Sequence, residues 1–451
     1  SVGWNVMEED FWKDSKVSGV ISNLKPRVSY GVNGNVNGIG NYEVYGEYAQ
    51  VESKNYGGAT GLYNSKLLNT NLRWEQSQTF EVGLDIGFLQ NRLSFILDYY
   101  SRDTKDLLTK QALPGYTGFS DIVTNQGTLR NYGFEAEVRA NIINKGGFTW
   151  DMNANISSVA NKIISLPYNG VDKNRVGGYE VAAGKVGADG KFPTKWIAGR
   201  QEGGKLGELV AYKQQHIFKD WDDVKQHANM RIDEVANLYG PGLADQINPL
   251  TNKPYKESTG WQPIEPGDVL WADLDGNHKI DQLDRVKVGN IYPKWTGGFS
   301  TTLSYKNVSL YGRFDFALGH TILNMVAMRS LGQSVGFKNI IKEGLKTWTE
   351  ENTNTDLPKS YYDDSTNKKN IYRDTKGSDI TSVNDRSSRF YEKGDYLALR
   401  ELTLNWKLPV NWISKVGMTN ASVYITGQNL FYITGCLLYT SPSPRDLSTS
   451  R

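Results

Sequence analysis

Residues 131–142, NYGFEAEVRANI, alternate strictly between apolar and polar side chains from Phe134 onward. Successive side chains of a β-strand point to opposite faces of the sheet, so this segment predicts a strand with one apolar and one charged face. The apolar face comprises Phe134, Ala136, Val138, Ala140 and Ile142, and the polar face comprises Glu135, Glu137, Arg139 and Asn141. Residues 79–87 repeat the pattern, with Phe80 and Val82 opposed by Glu81 and Asp85.

The same alternation recurs along the chain and predicts about ten strands, most of them near the roughly 9–11 residues with which a tilted strand crosses a bilayer. The other segments are residues 1–6, 24–32, 93–99, 148–157, 295–305, 308–316, 402–408 and 421–426. Short links at 90–91, 144–147 and 306–307 alternate with long links at 33–72, 105–126, 158–294 and 318–396. Two links on the short side, 7–23 and 409–419, are of intermediate length. This alternation is typical of up-and-down outer-membrane barrels.

A closed barrel pairs its backbone N–H and C=O groups within the protein, as hydrocarbon surroundings require. Apolar side chains then face lipid and polar ones face a wet lumen, which is compatible with a mean hydropathy of -0.52. The expected fold is therefore all-β: part of an antiparallel, up-and-down transmembrane β-barrel. A soluble β-sandwich, with the apolar faces packed in its core, is the alternative for each strand taken singly. The candidates for the lumen-facing side are Glu81, Asp85, Glu135, Glu137, Arg139 and Asp315.

The composition argues against several classes of function. The 451 residues contain 51 Lys and Arg against 49 Asp and Glu, so the formal charge of +2 gives no support for nucleic-acid binding. A single Cys excludes a disulfide framework, and the four His are too scattered for a zinc site. No Ser, His and Asp arrangement can be argued from spacing, so we predict no catalytic residues and no cofactor-binding residues.

One acidic segment, WADLDGNHKIDQLD at residues 271–284, has the ligand spacing of a calcium-binding loop. Lys279 would contribute its backbone carbonyl at the seventh place of an EF-hand-type loop, while His278 stands where glycine is usual. The first, third, fifth, ninth and twelfth places are Asp273, Asp275, Asn277, Asp281 and Asp284. Hard oxygen ligands at this spacing suit Ca²⁺. The alternative is an acidic turn whose carboxylates accept hydrogen bonds from backbone amides.

The long links carry features of their own. Residues 339–352 predict a short amphipathic helix, with Ile341, Leu345 and Trp348 on one face. The insertion at 158–294 is long enough that we expect a compact extracellular unit. Its aromatic residues could stack on sugar rings, hold the loop together or contact a protein partner. They include Trp196, Tyr212, Trp221, Tyr255, Trp261 and Trp271.

Four ordered motifs closely resemble the SusC/RagA family, the TonB-dependent outer-membrane transporters of Bacteroidetes-type bacteria. They are NLRWEQSQTFEVGLDIGFLQNRLSFILDYYSRDTKDLL at 71–108, TNQGTLRNYGFEAEV at 124–138, GDVLWADLDGNHKIDQLDRVKVGNIYPKWTGGFS at 267–300, and SSRFYEKGDYLALRELTLNWKLP at 387–409. The resemblance extends over residues 1–435. It implies the C-terminal part of a 22-stranded plugged barrel, with long extracellular loops at 158–294 and 318–396. The plug and the TonB-box segment are expected outside this sequence.

The resemblance also implies a function. We expect a non-enzymatic outer-membrane importer of an oligosaccharide or a peptide, in contact with membrane lipid. Its partners would be a SusD-like surface lipoprotein and, through the plug region, the TonB complex. Ca²⁺ in an extracellular loop is the one cofactor expected. The alternatives are a passive porin or adhesin barrel and a soluble β-rich carbohydrate-binding module.

The last residues, 436–451, depart from the family pattern. Residues 436–446, CLLYTSPSPRD, match the translation of a common transposase sequencing adapter. We therefore predict that 436–451 is a library artefact, which nucleotides unrelated to that adapter would contradict.

Overall fold

The structure is a computed structural model that describes residues 1–13, 19–40, 42–184, 192–232, 238–258, 261–331, 341–361, 369–370 and 386–436. Of the predicted artefact tail, only Cys436 lies among the described residues. In this described part of the chain, no helix combines the length and the apolar character needed to cross a membrane.

The main element of the structure is one ten-stranded sheet. Its strands lie side by side in the order in which they occur along the chain, and each pairs antiparallel with the next. We label its strands β1 (Val2–Gly3), β2 (Ile21–Asn35), β3 (Glu75–Phe88), β4 (Leu93–Ala112), β5 (Asp121–Lys145), β6 (Phe148–Ser165), β7 (Trp295–Tyr305), β8 (Val308–Leu318), β9 (Tyr396–Lys407) and β10 (Ser422–Thr434). All ten predicted strands are therefore confirmed, as is their up-and-down order.

The short links are tight turns because their residues adopt left-handed backbone conformations. Gly146 and Gly147 join β5 to β6 with φ values of 64° and 79°, which glycine adopts without a steric penalty. Leu89, Gln90 and Asn91 join β3 to β4, and all three have positive φ. The two intermediate links contain short helices, Val6–Glu8 and Asp10–Lys13 in one, and Val410–Ile413 and Ser414–Val416 in the other.

Several strands are longer than the sequence predicted. β4, β5 and β6 have 20, 25 and 18 residues. The predicted long link at 105–126 is mostly strand, since β4 and β5 remain paired as far as Ala112 and Asp121. The pairing register of β4 with β5 shifts on both sides of Leu107, so the period-two alternation is lost there while backbone pairing continues.

The apolar flank of the sheet is exposed, and among the described residues no second sheet packs against it. Phe80 and Val82 in β3 are 44% and 41% exposed, and residues on β2, β8, β9 and β10 are exposed in the same way. Phe299 and Phe314 stack across β7 and β8 with ring centroids 4.5 Å apart. An apolar face left open in this way suits lipid and contradicts the sandwich alternative.

The large buried side chains lie instead in the long loops between strands. The main apolar core is formed by residues of the first long loop together with Trp348 of the second. Residues of 158–294 thus pack into a buried core that they share with 318–396. This core comprises Tyr212, Ile217, Phe218, Val224, Met230, Ile232, Leu238, Ile264, Val269, Leu270, Trp271, Ile280 and Trp348.

Short strands and helices fold these loops. The paired strands are Glu47–Tyr56 with Ala59–Lys66, Tyr179–Ala182 with Thr194–Ile197, Glu208–Tyr212 with Arg285–Asn290, Gln214–Ile217 with Val269–Trp271, Ile247–Asn248 with Lys253–Pro254, and Thr321–Leu323 with Tyr391–Lys393. A four-stranded sheet has the order Gln262–Pro263, Leu238–Tyr239, Arg231–Ile232, Lys279–Ile280. The helices are Trp221–Gln226 and Met325–Ser330, with 3₁₀ turns at Glu43–Tyr45, Gly115–Thr117, Asp172–Asn174, Pro241–Leu243, Tyr255–Glu257, Gln282–Asp284, Lys342–Lys346 and Ser388–Phe390.

The prediction of an amphipathic α-helix at 339–352 is wrong. Residues 339–340 lie outside the described residues, and Lys342–Lys346 form a 3₁₀ turn. Leu345 is 70% exposed, whereas Trp348 lies in the core. Gly344, whose helix propensity is low, packs against the backbone of Leu331 and lies inside the turn.

Candidate functional site

The six polar residues predicted to face the lumen lie on one face of the ten-stranded sheet. Strand pairing places Asp85 opposite Ile96, which in turn lies opposite Glu137. The same row continues across β6 and β7 to Asp315 in β8. The other three lie an even number of residues from Asp85 or Glu137 within their strands, so they point the same way. The six residues on this polar face are Glu81, Asp85, Glu135, Glu137, Arg139 and Asp315.

Arg27 in β2 is the centre of a network of charges on this polar face. Its Nε donates to Asp85 Oδ1 at 3.0 Å, and its Nη2 donates to Asp98 Oδ1 at 2.7 Å. Glu81 lies 3.7 Å from Nη1. Three strands are therefore joined by one guanidinium, which can pair with carboxylates in a fixed geometry.

Gly83 makes room for this network. It lies directly opposite Arg27 in β2 and Asp98 in β4. A Cβ atom at position 83 would lie 2.3 Å from Asp98 Oδ1 and 2.7 Å from Arg27 Cζ. A residue with a side chain would therefore displace the ion pair.

A second charged group lies at a β-bulge in β9. The pairing register shifts there, so that Arg400 is an extra residue between Leu399 and Glu401. Its Nη2 donates to Asp315 Oδ2 at 3.0 Å and its Nε donates to the same carboxylate. The Tyr396 hydroxyl donates to Asp315 Oδ2 at 3.2 Å. The bulge thus directs Arg400 toward the polar face.

The remaining members of the polar face have local partners. Arg139 Nε donates to Glu137 Oε1 at 2.6 Å, and the Ser157 hydroxyl donates to Glu135 Oε1 at 3.4 Å. A cavity of about 470 Å³ opens on this face beside Glu137 and Asp315. Paired charges of this kind suit a hydrated wall.

The sequence prediction missed both arginines. Arg27 could have been found, since residues 24–32 alternate and place it on the polar side of β2. Arg400 could not, because the bulge interrupts the period-two pattern at that residue.

In the acidic loop, three of the predicted ligands converge. Carboxylate oxygens of Asp273, Asp275 and Asp284 all lie within 4.8 Å of one another. Asp275 and Asp284 are buried, at 2% and 0% exposure. Asp284 accepts backbone N–H groups from Leu274 at 2.7 Å and Asp281 at 2.9 Å. Burial raises the pKa of Asp284 to about 7 and also raises that of Asp275. A nearby cation would therefore stabilise the ionised form of both carboxyl groups.

The other predicted ligands point elsewhere. The Asp281 carboxylate caps the Gln282–Asp284 turn, accepting from Leu283 N at 2.8 Å, and lies 3.3 Å from Lys279 Nζ. The Asn277 side-chain oxygen accepts from Lys279 N at 2.6 Å. These bonds are those of the acidic-turn alternative, so the structure contains features of both interpretations.

His278 adopts the backbone conformation for which glycine is usual at its place in a calcium loop. Its φ is 62°. The next apolar residue, Ile280, is fully buried and pairs with Ile232 in a short parallel bridge. The unusual residue type at 278 therefore does not prevent the sharp turn that such a loop requires.

The aromatic residues of the first long loop divide into two groups. Tyr212 and Trp271 are buried in the shared core, and Arg175 lies over the Trp196 ring at 3.9 Å. Trp221, in contrast, is 52% exposed. Among these residues Trp221 is therefore a candidate for ligand contact.

Comparison with known proteins agrees with this geometry. Residues 9–255 match the family described as TonB dependent receptor-like, beta-barrel. The chain is 29% identical over 435 residues to TonB-dependent receptor P3 of Formosa agariphila, covering 96% of this chain and 37% of that protein. It is 38% identical over 338 residues to TonB-dependent receptor SusC of Bacteroides thetaiotaomicron, covering 72% of this chain and 27% of that protein.

Solved structures show the same fold. The RagAB peptide transporter superposes with a TM-score of 0.63 at 21% identity, covering 96% of this chain and 39% of that chain. The RagAB peptide importer in its open-open state gives a TM-score of 0.65 at 22% identity, with 96% and 38% coverage. The chain thus spans less than two fifths of the length of the curated relatives named above.

Proposed function

Because the chain belongs to the TonB dependent receptor-like β-barrel family, we propose that the protein of which it forms part actively imports a nutrient across the outer membrane. The family is one of outer-membrane transport proteins and not of enzymes. The observation that carries the proposal is the sheet itself, with an exposed apolar flank on one side and rows of paired charges on the other. We assign the apolar flank to lipid and the polar face to the lumen of the barrel.

The nutrient in this proposal is an oligosaccharide. The resemblance of its motifs to the SusC/RagA family supports this choice, as do the exposed Trp221 and the hydroxyl-bearing residues around it. We further propose that a SusD-like surface lipoprotein covers the long loops and that TonB supplies the energy. The motifs shared with the SusC/RagA family support both partnerships.

The test uses the full-length gene, expressed with a SusD-like lipoprotein gene from the same genome in a Bacteroides host that lacks its own transporter for the sugar. We expect uptake of a fluorescent oligosaccharide that disappears when the host's tonB is deleted or when the lipoprotein is omitted. Uptake that persists without TonB would identify a passive porin instead.

Peptide import is the second candidate, because the RagAB structures share this fold. Competition between the fluorescent oligosaccharide and an equimolar mixture of unlabelled oligopeptides distinguishes the two. If the cells take up the peptides but no oligosaccharide, the substrate is a peptide and the sugar proposal is wrong.

We also propose that the acidic loop binds Ca²⁺ through Asp273, Asp275 and Asp284. The convergence of three carboxylates, two of them buried, fits a hard divalent cation. Bound Ca²⁺ would neutralise these carboxylates and fix the loop between the short strands Val269–Trp271 and Arg285–Asn290.

Titration calorimetry of the intact transporter with CaCl₂ tests the metal proposal. Asp273→Asn should remove the binding heat, while Asp245→Asn, an exposed carboxylate paired with Lys256, should leave it unchanged. Asp281→Asn should retain most of the affinity, because its cap can be made by an amide oxygen. Binding heat that survives Asp273→Asn would contradict the site.

A further inference from the structure

A cleft of about 760 Å³ lies between the two long loops, and the residues that line it include none of the acidic loop or of the polar face. Its volume is in the range of about 300–1,000 Å³ that is usual for ligand sites. The first loop contributes Trp221 and Glu265, and the second contributes Trp348 and Lys359. Both loops are therefore needed to form it.

One wall of the cleft is rigid. Trp348 is only 7% exposed, belongs to the shared core, and donates its Nε1–H to the Lys219 carbonyl at 3.2 Å. Lys359 lies with its Nζ 5.9 Å from the Trp348 ring centroid. Such a wall is formed before a ligand arrives, which reduces the ordering that binding requires.

Trp221 lies open at the cleft. It is the first residue of the helix Trp221–Gln226, whose N-cap Asp220 accepts the N–H groups of Asp222 and Asp223 at 3.0 and 2.9 Å. The backbone of Trp221 is thus fixed while its indole remains 52% exposed. An open indole on a fixed backbone offers a flat apolar face with a polar N–H at its edge.

The polar groups of the cleft are mixed in sign and are held in place. Glu265 accepts the Tyr361 hydroxyl at 3.2 Å and lies 3.8 Å from Lys359 Nζ. Lys369, which is buried, lies 3.5 Å from the same carboxylate. Threonine and serine hydroxyls complete the lining. Each sugar hydroxyl both donates and accepts hydrogen bonds, so it can pair with carboxylates, ammonium groups and hydroxyls alike.

Other ligand classes match this lining less well. The lining carries the carboxylates of Asp220, Glu265 and Glu350 against the ammonium groups of Lys219 and Lys359, so it does not favour an anionic ligand, and an apolar ligand would offer these groups no hydrogen bonds. A peptide that binds by β-augmentation adds to a strand edge, but the described residues that line the cleft lie in turns, irregular segments, one isolated β-bridge and one short helix.

We propose that this cleft is a binding subsite for a neutral oligosaccharide. A sugar ring stacks on Trp221, and its hydroxyls bond to Glu265 and Lys359. The inference rests on the proposed import function and locates one point at which the substrate is held.

The test is calorimetry of the purified full-length transporter with maltoheptaose, laminarihexaose, xylohexaose, mannohexaose and a neutral hexapeptide. We expect one of the sugars to bind. Trp221→Ala should weaken that sugar at least about tenfold, the loss expected from truncating an aromatic anchor. Trp221→Phe should weaken it less, because a ring for stacking remains. Tyr116→Ala, which removes a 91% exposed aromatic from the short connection between β4 and β5, should leave the affinity unchanged.

Fluorescent-sugar uptake by the same variants separates the two proposals. If sugar uptake occurs but Trp221→Ala binds and transports as the parent does, the subsite is wrong and the import function stands. If the hexapeptide binds and no sugar does, the subsite and the sugar substrate are both wrong. If no probe binds at millimolar concentration, the subsite is again overturned, while TonB-dependent uptake in cells decides the import function independently.

Discussion

At the scale of single residues, Gly83 shows how a small side chain supports a charged network. Gly83 lies in β3 between Arg27 in β2 and Asp98 in β4, and the Arg27 side chain passes over it to reach Asp98. The sequence alone indicated only a polar face at this position. The steric reason for glycine became visible from the pairing of three strands, which no local pattern specifies.

Gly83→Ala should destabilise the folded protein by about 1–3 kcal/mol, because the new methyl group overlaps Arg27 and Asp98. The measurement is the midpoint of thermal unfolding of the full-length protein in detergent. Gly31→Ala in β2 is the matched control, since a Cβ there meets nothing within 4 Å. Equal losses for both substitutions would show that backbone freedom, and not the ion network, explains the glycine.

Asp284 gives the acidic loop a pH dependence. Its pKa rises from 3.8 to about 7 in the metal-free fold, so the folded chain retains a proton between these values that the unfolded chain has released. The free energy of unfolding of the metal-free protein should therefore fall as the pH rises through this range.

Calcium binding should show the opposite trend, because the metal requires ionised carboxylates. We expect the apparent Ca²⁺ affinity to increase from pH 5.5 to pH 7.5, at most about tenfold per pH unit for one released proton, and then to level off. Calorimetry across this series, in buffers of different ionisation enthalpy, measures both the affinity and the proton released. A pH-independent affinity would contradict the role of Asp284.

At the scale of elements, the alternation of side chains predicted the ten strands, and the reason is that each strand meets two different environments. The prediction stopped where this alternation is interrupted. The end of β4 contains KDLLTKQA at residues 105–112, whose polar residues follow no period because the pairing with β5 shifts at Leu107. Strand ends that depend only on backbone pairing therefore remained invisible in the sequence.

The assignment of faces predicts unequal effects of substitutions on neighbouring residues. Leu84→Arg or Val138→Arg places a cation on the apolar flank and should reduce outer-membrane assembly, by about 2–4 kcal/mol at mid-bilayer. Glu137→Gln on the polar face should assemble normally, since it removes only the exposed pair with Arg139. The measurement is the amount of folded full-length protein in isolated outer membranes. If the arginine variants and Glu137→Gln assemble equally well, the assignment of the apolar flank to lipid is wrong.

At the scale of the whole molecule, the two long loops behave as one folded unit. Lys369 of the second loop lies 3.2 Å from Asp268 of the first, and both are buried. Asn370 Nδ2 also donates to Asp268 Oδ1 at 2.9 Å. The sequence indicated a compact first loop but not its partner, because a core built from two distant segments leaves no periodicity in either one.

Removing the charged group of Lys369 from this buried pair should lower the local stability of both loops. Lys369→Met leaves Asp268 without its cation and should cost about 3–5 kcal/mol of local stability. Limited proteolysis of the full-length protein should then cleave residues of both loops faster.

Two comparisons make this result specific. Lys225→Met removes an exposed pair with Asp222 in the first loop and should change the cleavage rate little, since such pairs contribute about 0–1 kcal/mol. Adding Asp268→Asn to Lys369→Met should restore part of the protection. Cleavage confined to the second loop would show that the loops open independently.

The shared position of Trp348 restricts how such transporters can exchange their specificities. In a chimera that received only the first loop of a relative, the Trp348 indole would have to pack against first-loop residues that differ from its present neighbours. Both segments would have to be transplanted together for the recipient to fold. Recombination at 158–294 without 318–396 should therefore yield unstable hybrids, however similar their barrels are.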